Sequence, residues 1–409
     1  MSILIKNTTV VTQNPNREIL RDCDVFISEN IIEQVGKNIK EKAEFVVDGT
    51  NKIAIPGLIN MHTHVGMTSL RGLGEDLPLH EWLNKKIWPQ EAKLTSKDVY
   101  EGARIGVLES FSSGVTCINE MYLKNLDQIA GVCANEGMRA TISLGMFDLL
   151  PDNSLEDEFE KTKKFVSNWS NKSDLITLAI SCHAPYTCSK ELLIKSKEFA
   201  NKNKLKFHIH ISETRKEIFG CLNKYAKYPI EFLDEIGLID QNTILAHASW
   251  VTKREIGIVA KRKATIVNCP ISHLKLATGG ICPVREYFEQ GANVTLGTDG
   301  AASNNSLNMF ETMKMSSLLQ KHHYWKADAV PTQKFLDFAT INGAKALGIN
   351  AGSIKKGKLA DIVLLDRSVN MQPENDLISN IVYSANPSNV SDVIVNGEAV
   401  VRDKVHILS

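Results

Sequence analysis

The chain has 409 residues, and its 47 lysine and arginine residues are balanced by 47 aspartate and glutamate residues, so its formal net charge is zero. A balanced charge provides no global field that attracts nucleic acid or an anionic membrane surface, and we expect neither as a partner. The N-terminus lacks a basic segment followed by an apolar run, and no stretch approaches the length that spans a bilayer, so we expect a cytoplasmic protein. The eight scattered cysteines contain no Cys-x-x-Cys pair and indicate reduced, mostly buried thiols.

Short runs rich in β-forming residues open the chain and recur at its end. They cover residues 2 to 11, 23 to 28, 31 to 35 and 45 to 48, and later residues 361 to 365, 391 to 395 and 398 to 401, with a hairpin turn at Asn396-Gly397. We expect the two ends to pair into one small composite β-sandwich domain, formed by residues 1–54 and 352–409.

Between these ends, apolar runs alternate with helix-length amphipathic segments. The runs lie near residues 55 to 62, 115 to 120, 138 to 145, 176 to 183, 205 to 211, 243 to 247, 264 to 268 and 293 to 298, and helices are predicted at 96 to 112, 123 to 135, 156 to 167 and 190 to 203. Eight strands that alternate with helices predict an α/β fold, a (β/α)8 TIM-like barrel over residues 55–351. Active sites of such barrels lie at the carboxyl ends of the strands.

Two histidines, His62 and His64, close the first predicted barrel strand. Side chains two residues apart on a strand share a face, so both imidazoles can reach one metal ion. Further ligand types close later strands, where His210 and Asp299 stand. Three imidazoles and one carboxylate suit one divalent ion per subunit, and we predict zinc, with ferrous iron as the alternative. Such an ion lowers the pKa of a bound water, so the expected chemistry is hydrolytic.

Three further residues are candidates for roles beside these ligands. His208 shares a face with His210, but His210 is nearer the end of the strand, so we interpret His208 as a hydrogen-bonded barrel histidine whose part in the site stays open. Glu213 follows His210 by three residues, where its carboxyl can shuttle protons beside an activated nucleophile. We assign a catalytic role to His247, which ends its own strand, and expect Asp299 to act as both ligand and base.

Four motifs together resemble the amidohydrolase superfamily. They are Pro-Gly-Leu-Ile-Asn-Met-His-Thr-His at residues 56 to 64, His210-x-x-Glu213, Ala246-His247 and Gly297-Thr298-Asp299-Gly300. Over nearly its whole length the chain is also similar to the methylthioadenosine/S-adenosylhomocysteine deaminase family, which includes archaeal 5'-deoxyadenosine deaminases. The motifs that carry this narrower resemblance are Met-Thr-Ser-Leu-Arg-Gly at residues 67 to 72, Glu81-Trp82-Leu83 and His183-Ala184-Pro185-Tyr186.

The resemblance implies hydrolytic deamination of a purine nucleoside to the inosine analogue and ammonia. It implies that Glu91 and His183 bind the nucleoside, while Glu213 and Asp299 both bind and react with it. We expect Glu213 to protonate the ring nitrogen beside C6, His247 to orient the hydroxide and Asp299 to relay its proton to the departing ammonia. The expected substrates are 5'-deoxyadenosine and 5'-methylthioadenosine, with S-adenosylhomocysteine and adenosine as further candidates. We also expect a homo-oligomer, a dimer or a tetramer.

One departure from the family and one absent residue type narrow this expectation. Leu144 stands where members that accept S-adenosylhomocysteine can place an arginine, and the loss of a guanidinium weakens recognition of a carboxylated tail. We therefore expect small, uncharged 5' groups. The predicted strand at residues 176 to 183 contains no lysine to bridge a second metal, as binuclear relatives require, so we expect a single ion.

Two alternatives stay open. Another amidohydrolase, such as a guanine or cytosine deaminase or a triazine hydrolase, would keep the barrel and the metal and differ only in its substrate contacts. A noncatalytic scaffold is a remote alternative, because such a protein would be free to lose the ligands that are all present. The Pro-Cys-x-x-Cys signature of the other zinc deaminase class is absent from the sequence.

Overall fold

The computed structural model describes residues 1–151 and 153–407, and their strands form two sheets. The strands are β1 (Ser2–Val11), β2 (Ile19–Ser28), β3 (Ile31–Gly36), β4 (Phe45–Asp48), β5 (Lys52–Pro56), β6 (Leu58–Thr63), β7 (Val115–Tyr122), β8 (Arg139–Met146), β9 (Ile176–Cys182), β10 (Lys206–Ile211), β11 (Thr243–His247), β12 (Thr265–Asn268), β13 (Asn293–Leu296), β14 (Ile362–Asp366), β15 (Val390–Val395), β16 (Glu398–Arg402) and β17 (Val405–His406).

The helices lie mainly between the strands of the second sheet. They are α1 (Leu79–Trp82), α2 (Trp88–Glu91), α3 (Ser96–Ser112), α4 (Leu126–Asn135), α5 (Leu155–Trp169), α6 (Lys190–Lys202), α7 (Arg215–Tyr225), α8 (Pro229–Glu235), α9 (Lys253–Arg262), α10 (Pro270–Lys275), α11 (Val284–Glu289), α12 (Ala301–Asn304), α13 (Met309–Tyr324), α14 (Thr332–Ala339), α15 (Ile341–Leu347) and α16 (Leu377–Tyr383). Among the helices in this part of the chain, none is both long enough and apolar enough to cross a bilayer.

Strands β6 to β13 form a parallel sheet in which each strand pairs with the next one along the chain. All residues of β7 and β8 are buried, as expected for a parallel sheet covered by helices. The two ends of the sheet meet where Asp299 donates its backbone N–H to the carbonyl oxygen of His62, with an N–O distance of 3.0 Å. The eight-stranded barrel that the sequence predicts is therefore confirmed, and its closure joins two of the predicted metal ligands.

Several barrel helices are preceded by a residue whose side chain caps the helix N-terminus. Thr95, Ser189, Thr214 and Thr252 each precede a helix and accept a hydrogen bond from the backbone N–H three residues later, so they act as N-caps of α3, α6, α7 and α9. The cap at Thr214 fixes the start of α7 directly after Glu213.

The other nine strands are hydrogen-bonded as one mixed sheet, in the order β17-β16-β15-β14-β5-β1-β2-β3, with β4 paired to β1. Because β1 to β5 precede the barrel and β14 to β17 follow it, both ends of the chain contribute, as predicted. Strand β5 pairs antiparallel with β14 and joins the two contributions. The eight cysteines are all free and buried.

The single strand predicted at residues 55 to 62 is divided between the two sheets. Strand β5 belongs to the terminal sheet and β6 to the barrel, and Gly57 separates them. A Cβ at Gly57 would lie 2.0 Å from the hydroxyl oxygen of Thr116, so the close approach of the chain to β7 requires glycine. The domain boundaries at residues 54/55 and 351/352 stay a prediction, since β5 crosses the first of them.

A buried ion pair joins the barrel to the terminal sheet. Arg139, at the start of β8, donates from Nε and Nη2 to the two carboxylate oxygens of Asp361, at 2.9 and 3.1 Å. The same carboxylate accepts the backbone N–H of Asn396 at 2.7 Å. The two charged side chains are 7% and 2% exposed. The bidentate geometry and the extra hydrogen bond compensate for the desolvation of both charges.

Replacement of Asp361 by alanine leaves the Arg139 guanidinium buried without its partner. We expect Asp361→Ala to lower the free energy of unfolding by about 3–5 kcal/mol, as measured by urea denaturation. The control, Glu160→Ala, removes an ion pair with Lys163 in which both side chains are largely exposed, and should unfold like the parent. A variant at Asp361 that is as stable as this control would contradict the bridging role of the pair.

Candidate active site

The predicted metal ligands converge at the carboxyl ends of the barrel strands. His62 lies near the end of β6 and His210 near the end of β10, while His64 and Asp299 follow β6 and β13. One ring nitrogen from each of His62, His64 and His210 lies within 4.8 Å of the others. The same holds for ligand atoms of His62, His247 and Asp299. Residues from four strands thus surround one small volume.

Backbone contacts determine which ring nitrogen carries the proton on two of these histidines. His64 Nδ1 lies 2.5 Å from the carbonyl oxygen of Met121, and His210 Nδ1 lies 2.6 Å from that of His183. Because a carbonyl only accepts, each Nδ1 must donate, and the neutral ring then has a lone pair at Nε2. The Nε2 atoms of His64 and His210 are 3.4 Å apart, so two lone pairs face each other.

Two further buried polar atoms, from Asp299 and His62, lie beside the Nε2 atom of His64. Asp299 Oδ1 lies 3.1 Å from His64 Nε2 and 3.5 Å from His62 Nε2. In the described residues, His62 Nε2 has no hydrogen-bond partner. Buried polar atoms gathered in this way, among them a carboxylate oxygen and an unpaired nitrogen, are unfavourable unless positive charge lies among them. The donor set of three imidazole nitrogens and one carboxylate oxygen therefore fits a divalent metal ion.

The ionisation of these side chains also favours positive charge at this position. Although burial opposes it, the hydrogen bond with Asp299 raises the pKa of His64 to about 9, so a proton on Nε2 supplies the positive charge where a metal ion would otherwise supply it. Burial likewise opposes ionisation of Asp299, yet the neighbouring imidazoles of His62 and His64 hold its pKa well below the usual range. Burial lowers the pKa of His210, which keeps that ring neutral and able to bind a cation.

His208, whose role the sequence leaves open, contacts His62, one of the predicted ligands. Its Nε2 lies 3.1 Å from Nδ1 of His62, the nitrogen opposite the one near Asp299. Its own Nδ1 lies 3.3 Å from the side-chain amide nitrogen of Asn119. Such a neighbour on the second ring nitrogen holds a ligand histidine in orientation. His208 therefore supports His62.

Two serines that the sequence analysis missed hold the carboxylate of Asp299. The hydroxyls of Ser272 and Ser303 donate to Asp299 Oδ2 at 2.7 and 2.8 Å. The backbone of Asp299 has φ 62° and that of His247 has φ 73°, both in the left-handed region that non-glycine residues rarely adopt. Strained backbone of this kind is typical of sites where side-chain direction matters more than local stability.

Glu213 lies beside His247, with 3.9 Å between Glu213 Oε2 and His247 Nε2. Its backbone is held by Glu217, whose carboxylate accepts the N–H groups of Ser212 and Glu213 at 2.7 and 2.9 Å. Burial, reinforced by the charge of Asp299, raises the pKa of Glu213 well above the usual range for a glutamate. Its carboxyl therefore retains a proton more readily than an exposed glutamate does and can donate it to a bound molecule.

A cavity opens beside these groups, and the metal-ligand candidates form part of its wall. Its apolar wall includes Leu79 and Trp82 of α1, Trp88 of α2 and Tyr122 at the end of β7. A π-helical turn over Leu83–Ile87 joins α1 to α2. Composition alone does not separate such residues from core residues, because apolar side chains on short helices occur in both places.

Glu91 and His183, assigned only by resemblance, both line this cavity. Glu91 is 5% exposed, and its Oε1 has no hydrogen-bond partner in the part of the chain described. Burial raises the pKa of Glu91, while the nearby Tyr122 hydroxyl lowers it. His183 Nδ1 lies 2.9 Å from the Thr187 hydroxyl. The free oxygen of Glu91 is available to a hydroxyl of a bound molecule.

Leu144 does not line the cavity, although the sequence comparison gave it weight. It is buried in β8 and is not among the residues that line either this cavity or the cavity next to it. The neighbouring cavity shares Trp88, Glu91 and Leu123 with the first. Leu144 therefore does not border the space that either cavity offers to a bound molecule.

His273, on α10, is a further residue that the sequence analysis missed. Its Nε2 lies 3.0 Å from Nδ1 of His247. Burial lowers its pKa to about 4, so the ring is neutral. Its position shortly after the carboxyl end of β12 was the available signal, because residues after barrel strands commonly reach the site.

Comparison with known proteins is decisive for the family. The model of the amidohydrolase family matches residues 53–400. The chain belongs to the amidohydrolase family. The motif resemblance is thereby confirmed, and this amidohydrolase, like its family, is a metal-dependent hydrolase.

Relatives of this amidohydrolase match it almost from end to end. It is 44% identical to the 5'-deoxyadenosine deaminase of Methanosphaera stadtmanae, over 98% of this chain and 94% of that protein. It is 41% identical to the 5-methylthioadenosine/S-adenosylhomocysteine deaminase of Pyrococcus furiosus, over 98% and 95% of the two chains. The solved structure of an adenosine deaminase from Xanthomonas campestris with bound zinc is 33% identical and has a TM-score of 0.95, with coverage of 99% of this chain and 94% of that one.

Removal of one ligand tests the metal centre of the amidohydrolase. We expect His210→Ala to weaken metal binding by more than about 100-fold, a larger loss than that caused by changing an outer hydrogen-bond partner. Metal bound per subunit after equilibrium dialysis, measured by mass spectrometry of the elements, reports the change. His323→Ala is the matched control, since His323 is exposed at the end of α13. Equal metal binding by His210→Ala and this control would refute the ligand assignment.

Proposed function

We propose that this amidohydrolase hydrolyses the 6-amino group of adenosine-type nucleosides, giving the inosine analogue and ammonia. The observation that carries the proposal is that a single cavity is lined by metal-ligand candidates, a buried acid and an unpaired carboxylate, as in His210, Glu213 and Glu91. The relatives named above, two nucleoside deaminases and a structurally similar adenosine deaminase, support it.

The residues that would hold the metal are His62, His64, His210 and Asp299. We propose zinc, because neutral imidazoles and a carboxylate suit a borderline ion and the similar Xanthomonas campestris structure has bound zinc. Ferrous iron is the alternative, since histidine suits both. When bound, the ion supplies Lewis acidity that makes water nucleophilic near neutral pH.

Side chains of the chain itself hold and move the protons of the reaction. Glu213, kept protonated by burial, would donate to the ring nitrogen beside C6 as the amino carbon becomes tetrahedral. His247, next to Glu213, would accept a hydrogen bond from the attacking water and orient it. Asp299 would receive a proton of that water and pass it to the departing ammonia.

Glu91 and His183 would bind the ribose. The unpaired Oε1 of Glu91 can accept from a ribose hydroxyl. Thr187 donates its hydroxyl hydrogen to the carbonyl oxygen of Ala184 at 3.1 Å, so its oxygen accepts from Nδ1 of His183. The Nε2 of His183 is then an acceptor as well. Two acceptors in one cavity match a ligand with several hydroxyl donors.

The neighbouring cavity favours a small, uncharged 5' group. Its wall includes the apolar side chains of Phe147 and Leu150. Lys124 also lines it, but its ammonium donates to the backbone carbonyls of Glu91 and Leu94 and is thereby engaged. A carboxylated tail would have to displace these contacts to gain a cation. The apolar wall and the engaged ammonium of Lys124, rather than Leu144, are therefore our reason for expecting a small, uncharged 5' group.

The substrates of other amidohydrolases differ from a nucleoside in the hydrogen-bond donors that they offer to the cavity. A guanine, cytosine or triazine ring would use the metal site but lacks the ribose hydroxyls that Glu91 and His183 are proposed to bind. A noncatalytic scaffold would not need so complete a ligand set. A homo-oligomer, as a dimer or a tetramer, and a cytoplasmic location are also proposed, on the sequence alone.

A substrate panel tests the proposed specificity. We expect 5'-deoxyadenosine and 5'-methylthioadenosine to be deaminated with a kcat/KM at least about 10-fold above that of S-adenosylhomocysteine, because the last compound carries charges that the cavity does not match. Ammonia release, measured side by side with guanine, cytosine and a chlorotriazine, reports the preference. Equal efficiency for S-adenosylhomocysteine would overturn the argument from the cavity walls, and faster turnover of a free base would overturn the nucleoside assignment.

The acid role of Glu213 is tested by a neutral isostere. We expect Glu213→Gln to lower kcat by about 100- to 10,000-fold, the usual contribution of a general acid, while metal content stays unchanged. Steady-state kinetics with 5'-deoxyadenosine and metal analysis of the same preparation give both values. The exposed Glu160→Gln serves as the control. Turnover by Glu213→Gln at the rate of this control would exclude the role.

A further inference from the structure

Three side chains behind the cavity form a closed set of contacts around His247. His273 Nε2 lies 3.0 Å from His247 Nδ1, and His273 Nδ1 lies 2.9 Å from the hydroxyl oxygen of Ser249. The same hydroxyl lies 3.3 Å from the backbone carbonyl oxygen of His247 and can donate to it. The exposed fractions of His247, Ser249 and His273 are 1%, 7% and 4%, so bulk water does not compete for these contacts.

The carbonyl oxygen of His247, which can only accept, determines the direction of the hydrogen bonds among these three residues. If Ser249 donates to the carbonyl of His247, its oxygen accepts from Nδ1–H of His273. Nε2 of neutral His273 is then an acceptor, Nδ1 of His247 is the donor, and Nε2 of His247 has a lone pair. The reverse direction makes Ser249 donate to His273 and leaves its contact with the carbonyl unused. Only the first arrangement uses all three contacts.

The surroundings of His247 Nε2 favour the same arrangement. This nitrogen lies 3.9 Å from Oε2 of Glu213, the acid of the site. A ligand nitrogen of His247 also lies within 4.8 Å of ligand atoms of His62 and Asp299, where acceptor atoms gather. An acceptor at this position can receive a hydrogen bond from the Glu213 carboxyl or from water, whereas an N–H here would point toward the place that favours positive charge.

We propose that His273, together with Ser249, is a positioning residue that fixes the tautomer of His247 with Nδ1 protonated and Nε2 bare. His273 does not touch the substrate and acts through His247. The part played by the bare nitrogen, which is to accept a hydrogen bond from the attacking water, rests on the proposed function. The tautomer itself does not, because it follows from contacts within the chain.

Nitrogen NMR of the intact, zinc-loaded protein, labelled with 15N in its histidines, tests the tautomer. The His247 signals are assigned by their loss in His247→Gln. We expect a protonated Nδ1 and an unprotonated Nε2 in the parent. His273→Leu removes the acceptor and should give a mixture of tautomers, while His273→Gln retains an acceptor oxygen and should keep the parent pattern. Ser249→Ala, the smaller change, should also give a mixture.

Kinetics of the same variants separate positioning from packing. We expect His273→Leu to lower kcat for 5'-deoxyadenosine by about 10- to 100-fold, with KM and metal content unchanged, and His273→Gln to regain most of the loss. His322→Leu is the control, because His322 is exposed on α13.

Three outcomes would overturn the proposal. They are a protonated Nε2 on His247 of the parent, an unchanged His247 tautomer in His273→Leu, and equal damage in His273→Gln and His273→Leu, which would show a packing role. If the parent deaminates no adenosine-type nucleoside, the proposed function fails, and the NMR result alone then decides the tautomer.

Discussion

Four buried polar atoms gather at the mouth of the barrel, where lone pairs repel one another unless positive charge lies between them. They are Nε2 of His62, His64 and His210 and Oδ1 of Asp299. Backbone carbonyls accept the Nδ1 protons of His64 and His210 and so turn both Nε2 atoms toward this volume. The pKa of Asp299 is held well below its usual range, so its carboxyl group is negatively charged although it is buried. Every functional role assigned to the cavity assumes that this need for a cation is met by a metal ion.

The rest of the fold keeps these atoms together. Barrel closure through the N–H of Asp299 and the carbonyl of His62 places the first and last ligands side by side, and the hydroxyls of Ser272 and Ser303 hold the Asp299 carboxylate. Around this centre, other side chains are held by neighbours: Glu213 through Glu217, and His247 through His273. The site therefore depends on hydrogen bonds that orient side chains at least as much as on the ligands themselves.

Patterns of neighbouring residues in the sequence correctly predicted the bounds of several strands and helices. The bounds of β1, β4, β11 and α3 agree with the predicted segments, and the spacing of His62 and His64 placed both imidazoles on one face of a strand. The division at Gly57 was missed because the run around it is continuously apolar, and only the approach to Thr116 in the folded chain requires the break.

Residues that reach the site from helices were harder to find. Glu91 lies on a short helix, and only the resemblance to a family identified it, because an isolated acid on a helix has no spacing signal. His273 was missed for a similar reason, since its role depends on contact with His247, 26 residues away in sequence. Apolar residues such as Trp82 were not separated from the core, since a cavity wall and a core have the same composition.

X-ray absorption spectroscopy at the metal edge of the purified protein tests the central claim most directly. The account predicts a single metal ion surrounded by three imidazole nitrogens and carboxylate oxygen at about 2.0–2.2 Å, with the imidazole contribution reduced by one ring in His64→Ala. A spectrum with sulfur ligands, a neighbouring second metal or an imidazole count that His64→Ala leaves unchanged would contradict it.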